Sequence, residues 1–338
     1  MAMARKKHTM THLTMIEPVS LANAYEAAHS AAVVVHHAER GMIHLTGNTR
    51  LDLINRMSTQ AVGKLQSGEG AATVLTTNIG RIIDRPILYA TSDSAYLLTG
   101  EGHAPALTRF FMRNIFFNDD VQVRDISGET VVLGVYGPRA AEMLVAVGFA
   151  EVDIPLHHWR RGEIGGAQAY IHRTDPIAGG GCFVIATAAD REALLATLSA
   201  AGLPLIDDAT YDYLRIEAGL PRFGHELTLD YIPLEANLWA DVSFNKGCYV
   251  GQEIIARMEK LQAIVSLRAA GYSQAVLRTW FAEPDGWMDE RIRRHQAIRD
   301  DLLAVLRGID GVFARTPEAG SYLFPRLPAL AIPHAGFA

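Results

Sequence analysis

The stretch Asp241-Val242-Ser243-Phe244-Asn245-Lys246-Gly247-Cys248-Tyr249-Val250-Gly251-Gln252-Glu253 brings a thiol, an ammonium, a carboxamide and a carboxylate close together, between glycines that let the chain turn where a Cβ would clash. Cys248 stands two positions after Lys246, and a neighbouring cation favours the thiolate, the nucleophilic form. Gln252 and Glu253 follow Gly251 and lead into Ile254, Ile255 and Ala256. They stand where a turn enters a regular element, a place at which polar side chains cap backbone groups or face a ligand. Composition leaves a plainer alternative open, with Cys248 a small buried hydrophobe and Lys246 and Glu253 in water.

The run Lys246-Gly247-Cys248-Tyr249-Val250-Gly251-Gln252-Glu253 resembles the K-G-C-[YF]-x-G-Q-E signature of the YgfZ-type folate-binding proteins, relatives of the glycine-cleavage T-protein (aminomethyltransferase). T-proteins proper carry a looser K-x-x-F-x-G there. Upstream, Arg215-Ile216-Glu217-Ala218-Gly219-Leu220-Pro221, then Gly224, Glu226, Pro233 and Glu235, is similar to the run that precedes the signature in both groups. The similarity covers residues 30–258. It implies an α+β, aminomethyltransferase-like folate-binding fold, tetrahydrofolate as ligand, and a part in iron–sulfur cluster assembly or repair with client or assembly proteins as partners. It also implies Cys248 as the reactive group, tuned by Lys246, with Tyr249, Gln252 and Glu253 beside the thiol or the folate. Asp84, Arg215 and Glu217 are further candidates for folate contact. For Arg215 and Glu217 the alternative is to anchor the loop that follows them.

Two departures bear on chemistry. Thr76-Thr77-Asn78-Ile79-Gly80-Arg81-Ile82-Ile83-Asp84-Arg85 resembles the T-protein segment whose paired aspartates meet folate and the aminomethyl substrate, but Arg85 stands at the second acid. Asp84 reads equally as a surface salt-bridge partner of Arg81 or Arg85. Asp175-Pro176-Ile177-Ala178-Gly179-Gly180-Gly181-Cys182 carries glycines where T-proteins place an acid against the pterin. Both count against aminomethyl transfer, which stays as one alternative; a non-catalytic scaffold is the other. The triple glycine does not match phosphate-binding spacings and reads as a turn into a strand.

The rest of the chain sets bounds. A length of 338 residues with 49% hydrophobic composition supports two or three domains. A net charge of −6 argues against a nucleic-acid partner. Two cysteines, Cys182 and Cys248, suit a reducing compartment and exclude a cluster or structural zinc held by this chain's cysteines alone. No apolar run reaches membrane-spanning length, so no membrane association is expected. The vicinal pairs His36-His37 and His157-His158 are poor chelates, and no metal site is expected. Cytoplasm is the default location, with a mitochondrial matrix relative looking the same.

Residues 1–20 read as a disordered tail, 21–258 as the folate-binding region built from two α+β subdomains, and 259–338 as a separate tail. Strands are expected at Ala31 to His37, Met42 to Leu45, residues 130–136 and Phe183 to Ala186, with a hairpin around Thr91-Ser92-Asp93-Ser94. Helices are expected after Gly47-Asn48, over 104–113, after Gly137-Pro138, from Glu192 to Ala201, and from Asp208 as N-cap to Ala218.

After Met258 a final β-barrel would be expected of the family, but residues 272–327 hold too few strand patterns. Met288, Ile292, His295, Ile298, Leu302, Val305 and Ile309 instead mark an amphipathic helix ending near Gly308. Gln274 to Pro328 resembles the small C-terminal domain of class I pyridoxal-phosphate aminotransferases. The large domain and its Schiff-base lysine are not in this sequence, so pyridoxal phosphate is not expected as a cofactor.

Overall fold

β1 (Val33–His36), β9 (Thr130–Tyr136) and β12 (Gly180–Thr187) alternate between two buried faces, Val34, Leu133, Val135 and Val184 on one and Val35, Val132, Phe183 and Ile185 on the other. Strands apolar on both sides need a cover on each. In the computed structural model, which describes residues 20–150, 153–265, 286–316 and 325, that need sets the layering. A six-stranded sheet runs β10 (Trp159–Ile164), β11 (Ala167–Ile177), β12, β9, β1, β13 (Leu205–Ile206), antiparallel except for β1 beside β13.

A five-stranded antiparallel sheet runs β3 (Gly70–Ala72), β6 (Ile87–Ala90), β7 (Ser94–Glu101), β2 (Arg40–Thr46), β8 (Gln122–Asp125). β4 (Leu75–Thr76) and β5 (Ile82–Asp84) form a separate ribbon. The two sheets share one core, in which Met42, Ile87, Tyr89 and Leu98 meet Val35, Val132, Phe183 and Ile185. Outside the first sheet, α4 (Ala140–Ala146) and α5 (Arg191–Ala200) contribute Ala140, Leu144, Leu194 and Leu198. Outside the second, α2 (Arg50–Met57) and α3 (Ala104–Met112) contribute Leu53, Ile54, Leu107 and Phe111. Each such leucine, isoleucine or phenylalanine, fully buried, stabilises by about 1.5–3 kcal/mol. The expected α+β class holds, as helix, sheet, sheet, helix.

Several local expectations also hold, and one changes. The hairpin β6–β7 closes with Thr91 N donating to Ser94 O at 2.9 Å. α1 (Leu21–Ser30) packs on α6 (Asp208–Glu217), whose N-cap is Asp207 rather than Asp208: its carboxylate accepts from Thr210 N at 2.9 Å, while Asp208 already lies inside the first turn. The triple glycine is, as expected, a turn into a strand: Ala178 and Gly179, both at positive φ, form the two-residue hairpin turn joining Ile177 to Gly180, where β12 begins. A Cβ on Gly180 would stand 2.2 Å from Gly137 O, so close backbone approach explains that glycine. β10 lies at a sheet edge, where the polar Arg160, Arg161 and Glu163 break the apolar alternation.

The chain divides into one unit through Leu261 and a second from Gln262. α7 (Gln252–Val265) therefore runs past Met258, the end of the family resemblance. In the second unit, α8 (Trp287–Arg307) is the expected helix, with Asp289 and Glu290 in its first turn, Arg307 in its last and Gly308 after it. Among the described residues no extended strand follows β13, and no closed barrel is present. Residues 1–19 of the expected disordered tail 1–20, and much of the aminotransferase-like tail, lie outside the described residues.

Candidate functional site

The signature stretch is bolted to the C-terminal end of α2 and to the β4–β5 ribbon. Lys246 Nζ donates to the carbonyls of Ser58 at 2.8 Å and Gln60 at 2.9 Å and to that of Asn55, which closes the C-terminal end of α2, where carbonyls lack helical partners. Thr76 Oγ1 donates to Val250 O at 2.6 Å, and Gly251, at φ 82°, packs where a Cβ would meet Thr77 O at 2.5 Å. Ser243 N and Thr59 Oγ1 add backbone bonds at the other end, to Thr59 O at 2.9 Å and Asp241 O at 2.6 Å.

All three ammonium donors of Lys246 are thus engaged by carbonyls. Burial pushes the ammonium down to about 8, while each carbonyl acceptor favours the charged form. Lys246 thereby anchors the stretch that carries Cys248. Cys248 is exposed and unpaired by any disulfide, so the buried alternative does not apply to it. Tyr249 is buried with Ile232, Leu234, Val242 and Ile255, lies under the Lys246 ammonium at 5.2 Å, and has its hydroxyl pushed up to about 12 by burial. Gln252 N donates to Tyr249 O at 3.2 Å, and Gln252 and the exposed Glu253 open α7.

A cavity of about 520 Å³ lies beside this anchor, lined among others by Gln60, Arg85, His157, Asp175, Leu220 and Asp241. Arg85 dominates its wall. Its guanidinium forks onto Asp241, Nε to Oδ2 at 2.5 Å and Nη2 to Oδ1 at 3.4 Å, and reaches Asp175 Oδ2 through Nη1 at 3.1 Å. The two carboxylates hold the arginine's pKa above its ordinary value. The triad joins the segment after β5, strand β11 and the loop before the signature, and leaves one negative charge in excess. Volumes of this size suit a small organic ligand.

Asp84 is not a surface salt-bridge partner. It is 1% exposed, and its carboxylate accepts from Arg85 N at 2.7 Å, Gly100 N at 3.0 Å and His103 Nδ1 at 3.1 Å. His103 in turn stacks on Phe223 at 4.4 Å. Arg215 is buried and clasps the following loop, donating to Asp212 at 2.7 Å, Glu226 at 2.6 Å and Leu220 O at 3.1 Å. Leu220 lines the cavity, so Arg215 shapes its wall from behind. Glu217, on the other flank of α6, accepts from Tyr25 Oη at 3.0 Å and faces His29 at 3.4 Å, away from the cavity lining. The structure thus brings Asp241, at the head of the signature stretch, to the cavity, whereas the site residues expected from the sequence stand behind its wall or outside its lining.

Sequence reasoning missed Asp175, Asp241 and His157 as wall residues. His157 has a positive φ of 62°, its Nδ1 is buried without a partner, and its ring stacks at 5.7 Å on His172. Asp175 and Asp241 were visible as acids, but nothing local joins them to Arg85. Among the described residues no group of three His, Cys, Asp or Glu could hold a metal ion, and no helix is long and apolar enough to cross a membrane.

A layered α+β body with a walled cavity and an anchored, thiol-bearing loop has the aminomethyltransferase fold: the glycine cleavage system aminomethyltransferase T of Bartonella henselae superposes with a TM-score of 0.64 at 20% identity, covering 72% of this chain and 67% of that one. The model of the GCVT N-terminal domain matches residues 17–246, and the chain belongs to that family. A putative chloroplastic transferase of Arabidopsis thaliana is 26% identical over 236 residues, 70% of this chain and 55% of the relative. An aminomethyltransferase of Chlorobium phaeovibrioides is 27% identical over 243 residues, 70% of this chain and 66% of the relative. The chain thus spans less than two thirds of either curated relative. An aspartate aminotransferase of Rhodobacter sphaeroides shares 80% identity over 24% of this chain and 20% of its own, at a TM-score of 0.17.

Proposed function

We propose that this chain binds tetrahydrofolate in the cavity walled by Arg85, Asp175 and Asp241, and assists iron–sulfur cluster assembly or repair through Cys248, as in the YgfZ-type proteins its signature resembles. One observation carries the reading: a single anchored stretch presents an exposed thiol at Cys248 and supplies Asp241 to the cavity wall. A folded pterin needs an apolar slot with a few directed polar groups. Leu220 and Leu238 supply apolar wall; Asp175, Gln60 and the unpartnered His157 Nδ1 supply polar contacts. Lys246 and Tyr249 hold the stretch, Gln252 and Glu253 begin the helix behind it, and Asp84 and Arg215 support the wall. In this reading Cys248 offers a sulfur ligand to an iron centre on a client protein, in a reducing compartment, cytoplasm or mitochondrial matrix.

Aminomethyl transfer to tetrahydrofolate is the second reading, favoured by relatives that bear the name aminomethyltransferase. It predicts turnover with a methylamine donor, and the replacement of the second acid by Arg85 counts against it. The likeness of Gln274–Pro328 to an aminotransferase small domain remains part of the proposal as a module that contacts a partner.

Calorimetric titration with tetrahydrofolate tests the first reading. Binding by wild type and by Cys248→Ala, with loss of client iron–sulfur activity only for Cys248→Ala, supports it. No heat from folded protein at any attainable concentration removes the folate claim and leaves a scaffold.

A further inference from the structure

We propose that a second cavity, about 400 Å³, is a binding site for a flat aromatic monoanion, a fused-ring carboxylate being the simplest form. It shares no lining residue with the first cavity. Its walls come from both sheets. β2 and β7 supply His44 and Tyr96, stacked at 4.7 Å with 13° between their planes. β10 and β11 supply Trp159 and Tyr170, edge to face at 5.2 Å. Trp159 is held in place by its indole N–H, which donates to Ala90 O at 3.2 Å. Met42, Ile126 and Ile185 add apolar lining. Rings recognise rings by stacked or edge contacts, and the volume falls in the range of small-ligand sites.

Two further observations set the ligand's polar features. Arg161 lines the cavity, is exposed, and among the described residues has no ion-pair partner, whereas the other lining cation, Arg124, is paired with Glu129 at 2.6 Å. An unpaired guanidinium on the cavity wall is free to take one anion, and a carboxylate fits its fork. His172 also lines the cavity and is fully buried. Its Nδ1 is bonded to Tyr89 Oη at 3.1 Å, and its Nε2 is buried with no partner. Buried polar atoms are nearly always satisfied, so this orphaned nitrogen marks the inner end of the cavity as one that a bound molecule fills.

The probe is 2-naphthoate, with the neutral 2-naphthamide as its control, titrated calorimetrically into the full chain. Naphthoate is expected to bind wild type, and Arg161→Gln to weaken it by about 10-fold or more, the worth of a charged hydrogen bond, while leaving naphthamide unchanged. Thr187→Trp or Gln168→Trp, each placing an indole at an exposed lining position, is expected to abolish both and to leave tetrahydrofolate binding as in wild type. No naphthoate binding, equal weakening of both probes by Arg161→Gln, or binding undisturbed by both tryptophans overturns the proposal. Loss of tetrahydrofolate binding in the tryptophan variants also overturns it, by making this cavity the folate site. If wild type binds no tetrahydrofolate, the proposed function fails while the naphthoate titrations still decide this site.

Discussion

Arg85 and Asp241 form a two-point ion pair, Nε to Oδ2 at 2.5 Å and Nη2 to Oδ1 at 3.4 Å, that ties the end of β5 to the loop leading into the Cys248 stretch. Asp241 is 4% exposed. A carboxylate so deeply placed depends on its partner, because water cannot solvate it if the partner is removed.

Arg85→Met is therefore expected to cost about 3–5 kcal/mol in urea unfolding, the usual result of leaving one buried charge alone. Arg85→Met combined with Asp241→Leu should recover much of that loss. If the single variant proves as stable as wild type, the pair does not hold the wall together.

Lys246→Met removes one donor group from three carbonyls at once. The expected loss is about 1–3 kcal/mol from those unsatisfied acceptors, read by thermal melting, with α2 fraying at its C-terminus in amide exchange. Cys248 should keep its alkylation rate, since Lys246 acts as an anchor; a marked slowing would restore a role in tuning the thiol.

Cys248 and Cys182 should separate cleanly under iodoacetamide. Cys182 is buried and its thiol is pushed up to about 11, whereas Cys248 is exposed. Thiolate availability and access act together, so mass spectrometry should find Cys248 modified at least ~10-fold faster in native protein, with the gap closing in denaturant.

His37 and His172 are buried, and burial holds both imidazoles well below their ordinary pKa. The unfolded chain then takes up protons near pH 6.5 that the folded chain refuses. Stability is accordingly full above about pH 6.5 and falls as the solution is acidified below it. Melting temperature should drop between about pH 7 and 5, and His172→Phe should flatten that slope; an unchanged slope would mean that this imidazole does not titrate on unfolding.

Arg215→Lys keeps the charge and loses the fork. Contacts to Glu226 and to Leu220 O cannot both be kept in the same geometry, so the loop 219–227 should become the first site of limited proteolysis, with a stability loss of about 1.5–3 kcal/mol. An unaltered cleavage pattern would show that the loop is held by its own turns.

Much of the body was legible because its signals are local. Apolar residues repeat with strand or helix period at Val33 and Val35, Ile54 and Met57, and Leu194 and Leu198, and each repeat became a buried face. The Thr91–Ser94 turn and the long helix before Gly308 carried their own stop signals. The site was legible only in part. The signature marked Lys246 and Cys248, but Lys246 found its partners in residues 55–60, and Asp84 found Gly100 and His103, none of which its neighbours in the chain foretell.

By itself the sequence determined the periodic elements, the α+β class, the absence of a patterned barrel in the tail, and the stretch on which the thiol stands. These follow from side-chain periodicity and turn chemistry, which act over a few residues. Only the tertiary structure decided that Cys248 is in water, that Arg85 spends its charge on Asp175 and Asp241, that Arg215 and Glu217 serve as braces, and that two cavities form at all. Those depend on which faces of two sheets meet and in what register, and contacts between residues 90 and 156 positions apart are set by packing rather than by any local preference.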